Sequence, residues 1–356
     1  MSGQTDIKSL TPEELAGFLR GFGQPAFRAR QVFAWLHRGV ESFDEMTDLP
    51  LSLRQSLAEN AFLTVPCVER RLESKLDGTV KYLYGLRDGE AIETVLMRYH
   101  YGDSVCISTE AGCPMGCSFC ASPLAGFRRG LTPAEMLDQV LFTQKDTGRR
   151  VSHCVLMGIG EPLDNYDNVV KFLHILSCPG GLNLSLRHVS LSTCGLVDRI
   201  YDLMKLKLQL TLSVSLHAPN DQLRSRLMPV NRRWGVGPLL EACRAYTEAT
   251  GRRISFEYAM IESVNDTPAC ARELGSRLRG MLCHVNLIPV NSVKEKNYRK
   301  SPEPRMAQFA KVLAGYGLNV TVRRTLGSDI NASCGQLRRA HGGSGEGTTV
   351  EYSGEN

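Results

Sequence analysis

The chain has 356 residues, of which 42% are hydrophobic and 22% charged, and its formal net charge is +5. This length allows a full buried core, and the composition excludes collagen-like, coiled-coil and disordered proteins. No stretch approaches the roughly 20 apolar residues of a membrane span and the polar N-terminus has no apolar signal segment, so we expect a cytoplasmic protein without membrane contact.

The first part of the chain is predicted to be helical. Between residues 11 and 53 the apolar residues recur at helical spacing, and Gly21, Gly23 and Pro25 interrupt the pattern. We therefore predict a small helical N-terminal domain that comprises residues 1–74.

Residues 75–99 have a different pattern. Their side chains alternate between apolar and polar on both sides of an Asp88-Gly89 turn, which is typical of a β-hairpin. We expect this hairpin to be an extension that leads the chain into its first core strand.

The largest part, residues 100–341, alternates between apolar runs and helical segments. The predicted strands are residues 104–109, 153–157, 188–193, 210–216, 254–261 and 284–288, with a last strand at 319–324. The predicted helices include residues 133–144, 168–176, 268–278 and 305–313. This alternation predicts an α/β fold with a parallel sheet, and six units predict an open, partial (β/α)6 barrel. Residues 342–356, rich in Gly, Ser and Glu, are predicted to be a disordered tail.

The segments that follow the predicted strands carry the residues of a candidate site. Ligands of parallel α/β folds bind beyond the carboxyl ends of the strands. The second strand leads into residues 157–162, the third into 192–195 and the fourth into 215–217. Gly158 and Gly160 would allow the backbone to approach a ligand closely.

The first strand leads into a C-x3-C-x2-C motif formed by Cys113, Cys117 and Cys120. Three thiolates leave one iron of a cubane cluster without a protein ligand, and this iron can bind the amino and carboxylate groups of S-adenosylmethionine (SAM). A zinc site is an alternative, but it needs a fourth ligand and the next cysteine, Cys154, is distant. Unliganded thiols are the third possibility.

The chain resembles the RlmN/Cfr family of radical SAM RNA methyltransferases over nearly its whole length. Beside the cysteine motif, the resemblance rests on residues 27–31, 43–50, 157–163, 215–219, 227–231, 284–289 and 329–337. It implies a radical SAM barrel and methylation of an adenine carbon, at C2 in RlmN-type and at C8 in Cfr-type members. Residues 160–162 and 287–289 favour the C2 type. A noncatalytic iron–sulfur RNA-binding protein is the alternative from another class.

The resemblance also assigns site residues. Cys113, Cys117 and Cys120 would bind a [4Fe-4S] cluster, and two SAM molecules would be used per turnover. Cys334 would carry the methyl group as S-methylcysteine, Cys106 would form a transient disulfide with Cys334, and Glu93 would accept a proton. The implied SAM contacts are Gly160, Glu161, Ser192, Ser215, Leu216, His217 and Asn291. By pattern alone, Cys106 is a buried strand thiol, Glu93 a solvated hairpin residue and His217 a structural histidine.

The implied partners are RNAs, namely 23S rRNA and tRNA with an adenosine beside the anticodon, and an electron donor such as a flavodoxin or ferredoxin. We expect a monomer. Basic clusters occur at residues 128–129, 149–150, 224–233, 294–300, 323–324 and 338–339. On the rim of a barrel they would form a surface for RNA phosphates, and Arg28, Arg30 and Arg38 make the N-terminal domain a second candidate for RNA contact.

Overall fold

The structure, a computed structural model, describes residues 3–291, 293, 295–333 and 335–336. Its main feature is a ten-stranded sheet in which seven parallel strands continue into three antiparallel ones. In chain order the strands are β1 Thr5–Asp6, β2 Ala61–Phe62, β3 Cys67–Glu73, β4 Val80–Gly85, β5 Ala91–Tyr99, β6 Gly102–Cys106, β7 Glu110–Ala111, β8 Arg129–Gly130, β9 Val151–Leu156, β10 Val189–Thr193, β11 Thr211–Ser215, β12 Ile254–Met260, β13 Cys283–Pro289 and β14 Asn319–Val322.

Helices connect the strands. They are α1 Pro12–Arg20, α2 Ala26–Leu36, α3 Leu51–Asn60, α4 Pro133–Thr147, α5 Tyr166–Ser177, α6 Val197–Lys205, α7 Asp221–Leu227, α8 Val236–Thr250, α9 Pro268–Leu278 and α10 Glu303–Gly315. Local signals in the sequence set where helix α4 begins and ends. A Thr132–Glu135 capping box begins it, and Gly148, in the left-handed conformation, ends it. Within the part of the chain described, no helix is long and apolar enough to cross a membrane.

The parallel part of the sheet has the order β14-β13-β12-β11-β10-β9-β6. Each crossover between neighbouring strands contains at least one helix, so the strands' carboxyl ends all lie at one edge. The sheet remains open, and the predicted α/β fold with a partial barrel is confirmed.

The hairpin is part of the same sheet rather than a separate appendage. β4 and β5 pair with each other as predicted, and β5 also pairs antiparallel with β6, the first strand of the barrel. β3, which the sequence pattern does not predict, lies at the edge beyond β4. Its sequence is Cys-Val-Glu-Arg-Arg-Leu-Glu, and charged residues of this kind are common on edge strands, where they hide the strand pattern.

The helical N-terminal segment packs onto the outside of the barrel. Lys8 is completely buried, and its ammonium group lies 2.8 Å from an Asp138 oxygen on α4 and donates to the Thr64 carbonyl at 2.6 Å. Burial raises the pKa of Asp138 to about 6, although the neighbouring Lys8 favours its ionised form. This buried ion pair attaches the N-terminal segment to the barrel.

Replacement of Lys8 by methionine should destabilise the protein strongly, because it leaves the Asp138 carboxylate buried without its cation. Loss of one partner from a buried pair costs about 3–5 kcal/mol. The matched control is Lys145→Met, which breaks a half-exposed pair with Glu41 and should cost about 0–1 kcal/mol. Denaturant unfolding measures both values, and equal losses in the two variants would contradict the assigned role of Lys8.

Candidate active site

A cavity lies over the carboxyl ends of the parallel strands. It is lined by most of the residues that the sequence analysis selects, namely Cys113, Cys117, Cys120, Gly160, Glu161, Ser192, Ser215, His217 and Asn291. Among the implied cluster ligands and SAM contacts, Leu216 alone does not line it, since it is fully buried in the core and its N–H and carbonyl bond to Glu257 and Arg224. Chain segments far apart in sequence therefore form one site.

The three cysteines of the motif line this cavity together. Within the described residues, no three His, Cys, Asp or Glu side chains could hold one metal ion. A zinc ion binds thiolates at about 2.3 Å and so gathers them tightly, whereas a cubane cluster binds them at separate corners. Cys154, the next cysteine, is fully buried in the core and is absent from the cavity lining. This donor set fits an iron–sulfur cluster better than zinc.

Glycines and backbone hydrogen bonds fix the shape of the cysteine loop. Gly112 has a φ of 85°, and a Cβ there would lie 1.7 Å from the Gly126 carbonyl oxygen. The Ser122 N–H donates to the Cys120 sulfur at 3.4 Å, which favours a thiolate at that position. A side chain at residue 112 would thus disturb the cysteine loop.

A buried positive charge lies behind the loop. Arg224 is completely buried and donates to the carbonyls of Cys194, at 2.6 Å, and Ser215, at 3.0 Å. Burial raises the pKa of Cys113 to about 12 and also raises that of Cys117, while Arg224 lowers the pKa of Cys117. Because metals bind thiolates, Arg224 supports ligation. Arg224 belongs to one of the basic clusters expected on the barrel rim, and its complete burial removes it from that surface.

Glu161 connects two of the loops that form the cavity. Its buried carboxylate accepts hydrogen bonds from the N–H groups of Cys194, at 2.7 Å, and Leu163, at 3.0 Å, while burial raises its pKa.

Gly160 has a φ of 113°, and a Cβ there would lie 2.7 Å from Glu110. Burial raises the pKa of Glu110 to about 8, and this carboxyl, which the sequence did not single out, accepts from the Glu161 N–H.

The tautomer of His217 follows from its surroundings. Its Nδ1 accepts a hydrogen bond from the Ala259 N–H at 2.9 Å, and burial lowers the pKa of the ring to about 3. The neutral ring therefore carries its proton on Nε2. His217 also has a positive φ of 55°, and the side-chain amide of Asn265 donates a hydrogen bond to the His217 carbonyl at 2.8 Å. The site thus contains a fixed neutral N–H donor.

A second cavity adjoins the first and contains Cys106 and Ser333, with Asn291 and Arg323 shared between the two cavities. Cys334 lies outside the described residues. The residues before and after it are described: Ser333 lines the second cavity, while Gly335 lines the first and accepts from the Ala121 N–H at 2.8 Å.

Glu93 and Cys106 lie on the same face of the sheet. Val95 pairs with Cys106 across β5 and β6, and Glu93 precedes Val95 by two residues, so all three side chains point the same way. Glu93 is only 6% exposed, which excludes a solvated hairpin residue. Its carboxylate is paired at 2.7 Å with Lys81, which the sequence analysis missed because a lysine in a hairpin is normally solvated.

Comparison with known proteins agrees with this geometry. The family model of the Radical SAM superfamily matches residues 107–269, and that of the ribosomal RNA large subunit methyltransferase N-terminal domain matches residues 5–63. A probable dual-specificity RNA methyltransferase RlmN from Alkaliphilus oremlandii is 52% identical, with coverage of 94% of this chain and 98% of the relative. Another from Lachnospira eligens is 50% identical, with coverage of 95% and 97%.

The fold is also similar to that of a solved protein. The crystal structure of a radical SAM methyltransferase from Sphaerobacter thermophilus superposes with a TM-score of 0.90 at 43% identity. The superposition covers 94% of this chain and 99% of the other.

If His217 donates a hydrogen bond to SAM, replacement by phenylalanine should weaken SAM binding. The loss of one hydrogen bond, about 0.5–1.5 kcal/mol, corresponds to about a 2- to 10-fold higher Kd. Because the His217 pKa is about 3, the wild-type Kd should show no titration of this group between pH 5 and pH 8. Equilibrium dialysis with labelled SAM measures both effects. His174→Phe, on the outer surface of α5, is the control, and equal Kd values for the two variants would contradict the role of His217.

Proposed function

The chain belongs to the RlmN family of radical SAM RNA methyltransferases, and from this premise we propose its target atom and its route. It is an enzyme that uses SAM and an iron–sulfur cluster to methylate RNA. The proposed reaction is methylation of adenine C2, in 23S rRNA and beside the anticodon of tRNAs. It proceeds through S-methyl-Cys334.

One observation carries the proposal. Glu93 and Cys106 share a face of the sheet, and Ala332, two residues before Cys334, belongs to the same buried apolar cluster as Val95 and Cys106. A base and a thiol thus lie beside the segment that leads to the methyl-carrying cysteine. A noncatalytic iron–sulfur RNA-binding protein would not require this arrangement.

The chemistry explains why a thiol carrier is needed. The adenine C2 carbon is electrophilic, so it cannot attack the methyl group of SAM as an ordinary nucleophile. Cys334, as a thiolate, would instead displace the methyl group from a first SAM to give S-methylcysteine. When bound by Cys113, Cys117 and Cys120, the cluster supplies, with a second SAM, the 5′-deoxyadenosyl radical that removes hydrogen from this methyl group.

The remaining steps are assigned to residues of the chain. The methylene on Cys334 forms a bond to C2 and so links the RNA covalently to the protein. Glu93 would accept the proton that C2 loses, and the unpaired electron of the adduct would return to the redox system that supplied it. The Cys106 thiolate would then bond to the Cys334 sulfur as the carbon–sulfur bond breaks. The electron pair of that bond would stay on the methylene carbon, which would take a proton from solvent to become the methyl group, so that methylated RNA is released and a disulfide remains. An external donor such as a flavodoxin or ferredoxin would return both cysteines to the thiol form.

The proposed SAM contacts are the cavity residues Gly160, Glu161, Ser192, Ser215, His217 and Asn291, with Leu216 behind them. His217 would donate from Nε2. Because the Glu161 carboxylate already accepts two backbone N–H groups, its contact with the SAM ammonium group would use a remaining lone pair.

We also assign RNA contact to the N-terminal domain, residues 1–74. Phe27, 46% exposed on α2, stacks with Arg28, and Arg38 stacks on Trp35 at 4.5 Å. Phe27 is exposed and Trp35 is half-buried, and accessible aromatic and arginine planes bind unpaired bases and phosphates. We further propose that residues 100–341 form the barrel domain and that the hairpin of residues 75–99 connects it to the N-terminal domain. We propose that the enzyme is a monomer.

The product and the route are tested together by nucleoside mass spectrometry. The reconstituted holoenzyme is incubated anaerobically with SAM, a reductant and 23S rRNA or tRNA. We expect 2-methyladenosine from wild type and none from Cys334→Ala. An 8-methyladenosine product would contradict the C2 assignment and place the enzyme with the Cfr-type members. Undiminished product from Cys334→Ala would contradict the S-methylcysteine route.

The role of Cys106 is tested by Cys106→Ala. Without the resolving thiol, the RNA should remain attached to the protein, because the carbon–sulfur bond cannot be broken by disulfide formation. A denaturing gel should show an adduct that survives thiol reductants and disappears on nuclease treatment. Cys67→Ala, at an exposed cysteine, is the control and should turn over normally. Normal product release by Cys106→Ala would refute the proposed release step.

A further inference from the structure

The turn between β3 and β4 holds the segment that leads to Cys334. The Asp329 carboxylate accepts from the Ser74 hydroxyl at 2.7 Å and from the Lys75 N–H at 3.0 Å. In the opposite direction, the Gly327 N–H donates to the Asp77 carboxylate at 2.9 Å. About 250 residues separate the partners in sequence, so these contacts exist only in the folded chain.

Lys81 adds a fourth contact and connects the segment to the proposed base. Its ammonium group donates to the Asn331 carbonyl at 3.1 Å and pairs with Glu93 at 2.7 Å. Lys81 is 9% exposed, so the pair is shielded from solvent, where such contacts are weak. One ammonium group thus bridges the base and the segment that precedes Cys334.

The register of the sheet places this bridge beside the resolving thiol. Val95 pairs with Lys81 on one side and with Cys106 on the other, so the three side chains form a row across β4, β5 and β6. Ala332 belongs to one buried apolar cluster with Val95 and Cys106, two members of this row. The segment therefore lies next to the face that carries Glu93 and Cys106.

The segment needs such support because its backbone is unusual. Gly327 has a φ of 61°, and a Cβ there would lie 2.7 Å from the Ala332 side chain. Asn331, with a φ of 51°, is also left-handed. Glycine adopts this conformation without a steric penalty, whereas at Asn331 it costs free energy that surrounding contacts have to offset.

We propose that Asp329 and Lys81 are positioning residues that hold segment 327–333 against Glu93 and Cys106. Asp329 attaches the segment to the β3–β4 turn through its two hydrogen bonds, and Lys81 sets the distance between the segment and Glu93. This inference rests on the proposed function. It adds a role for the hairpin, whose turn 74–79 supports the chemistry although it lies outside the barrel.

The first test requires no RNA. Hydrogen exchange of the holoenzyme, measured on peptides that cover residues 327–333, should be faster in Asp329→Ala than in wild type, with Asp329→Asn in between because it keeps one acceptor. Asp202→Ala, on the outer face of α6, is the matched control. Unchanged exchange in Asp329→Ala would overturn the proposal, whether or not the chain methylates RNA.

The second test follows each half of the reaction. Asp329→Ala should methylate Cys334, measured by intact-protein mass, about 10- to 100-fold more slowly, with a SAM Kd within about 2-fold of wild type. Lys81→Met should accumulate the RNA adduct although Cys106 is present, and Lys81→Arg should restore release. Lys145→Met is the control.

These outcomes separate the two claims. Wild-type rates in Asp329→Ala and Lys81→Met would overturn the positioning role, as would a loss of SAM binding parallel to the loss of rate. If wild type gives no methylated adenine, the proposed function fails, while the exchange result still decides whether Asp329 holds the segment.

Discussion

The pairing of β5 with β6 is the constraint on which the site depends. Side chains alternate between the two faces of a strand, so the register that sets Val95 opposite Cys106 also puts Glu93 on the same face. A slip of one residue would turn Cys106 to the other face and separate it from the base. The hairpin is thus joined to the barrel by ordinary sheet hydrogen bonds, and the alignment of base and thiol follows from this pairing.

The walls of the cavity are held by buried polar groups that bond to backbone. Arg224 donates to carbonyls at the ends of β10 and β11, Glu161 accepts N–H groups from two loops, and His217 accepts from β12. Each of these side chains would be costly to bury without its partners, so each fixes the loop to which it bonds. The loops that would bind SAM are attached to one another and to the sheet by these hydrogen bonds, and substitutions that remove these partners should alter the shape of the site.

Much of the fold could be predicted from the sequence because its signals are local. Apolar runs that alternate with helical periodicity identified the six β/α units, and the Asp88-Gly89 turn identified the hairpin. The motif residues also lie together, since strand ends of a parallel sheet converge whatever their distance in sequence. Nine of the cluster ligands and SAM contacts that the resemblance implies line one cavity.

The parts that could not be predicted depend on contacts between distant segments. Arg224 belongs to a basic run, and nothing local indicates that it turns into the core. By its position in a hairpin, Lys81 is expected to be solvated. Only the folded chain brings the Asn331 carbonyl to its ammonium group. The charged residues of β3 mask the alternation that identifies a strand. The turn after β3 contacts Asp329, about 250 residues later in the sequence, and no local pattern indicates that contact. Such pairings are properties of the folded chain.

The most direct test of the central claim, that the methyl group passes through Cys334, is isotopic. The enzyme is supplied with SAM whose methyl group carries three deuterium atoms, and the 2-methyladenosine and 5′-deoxyadenosine products are analysed by mass spectrometry. The account predicts a product methyl group with two deuterium atoms, and one deuterium atom in 5′-deoxyadenosine. A methyl group that keeps all three would contradict it, because the methyl would then have moved intact from SAM to the base.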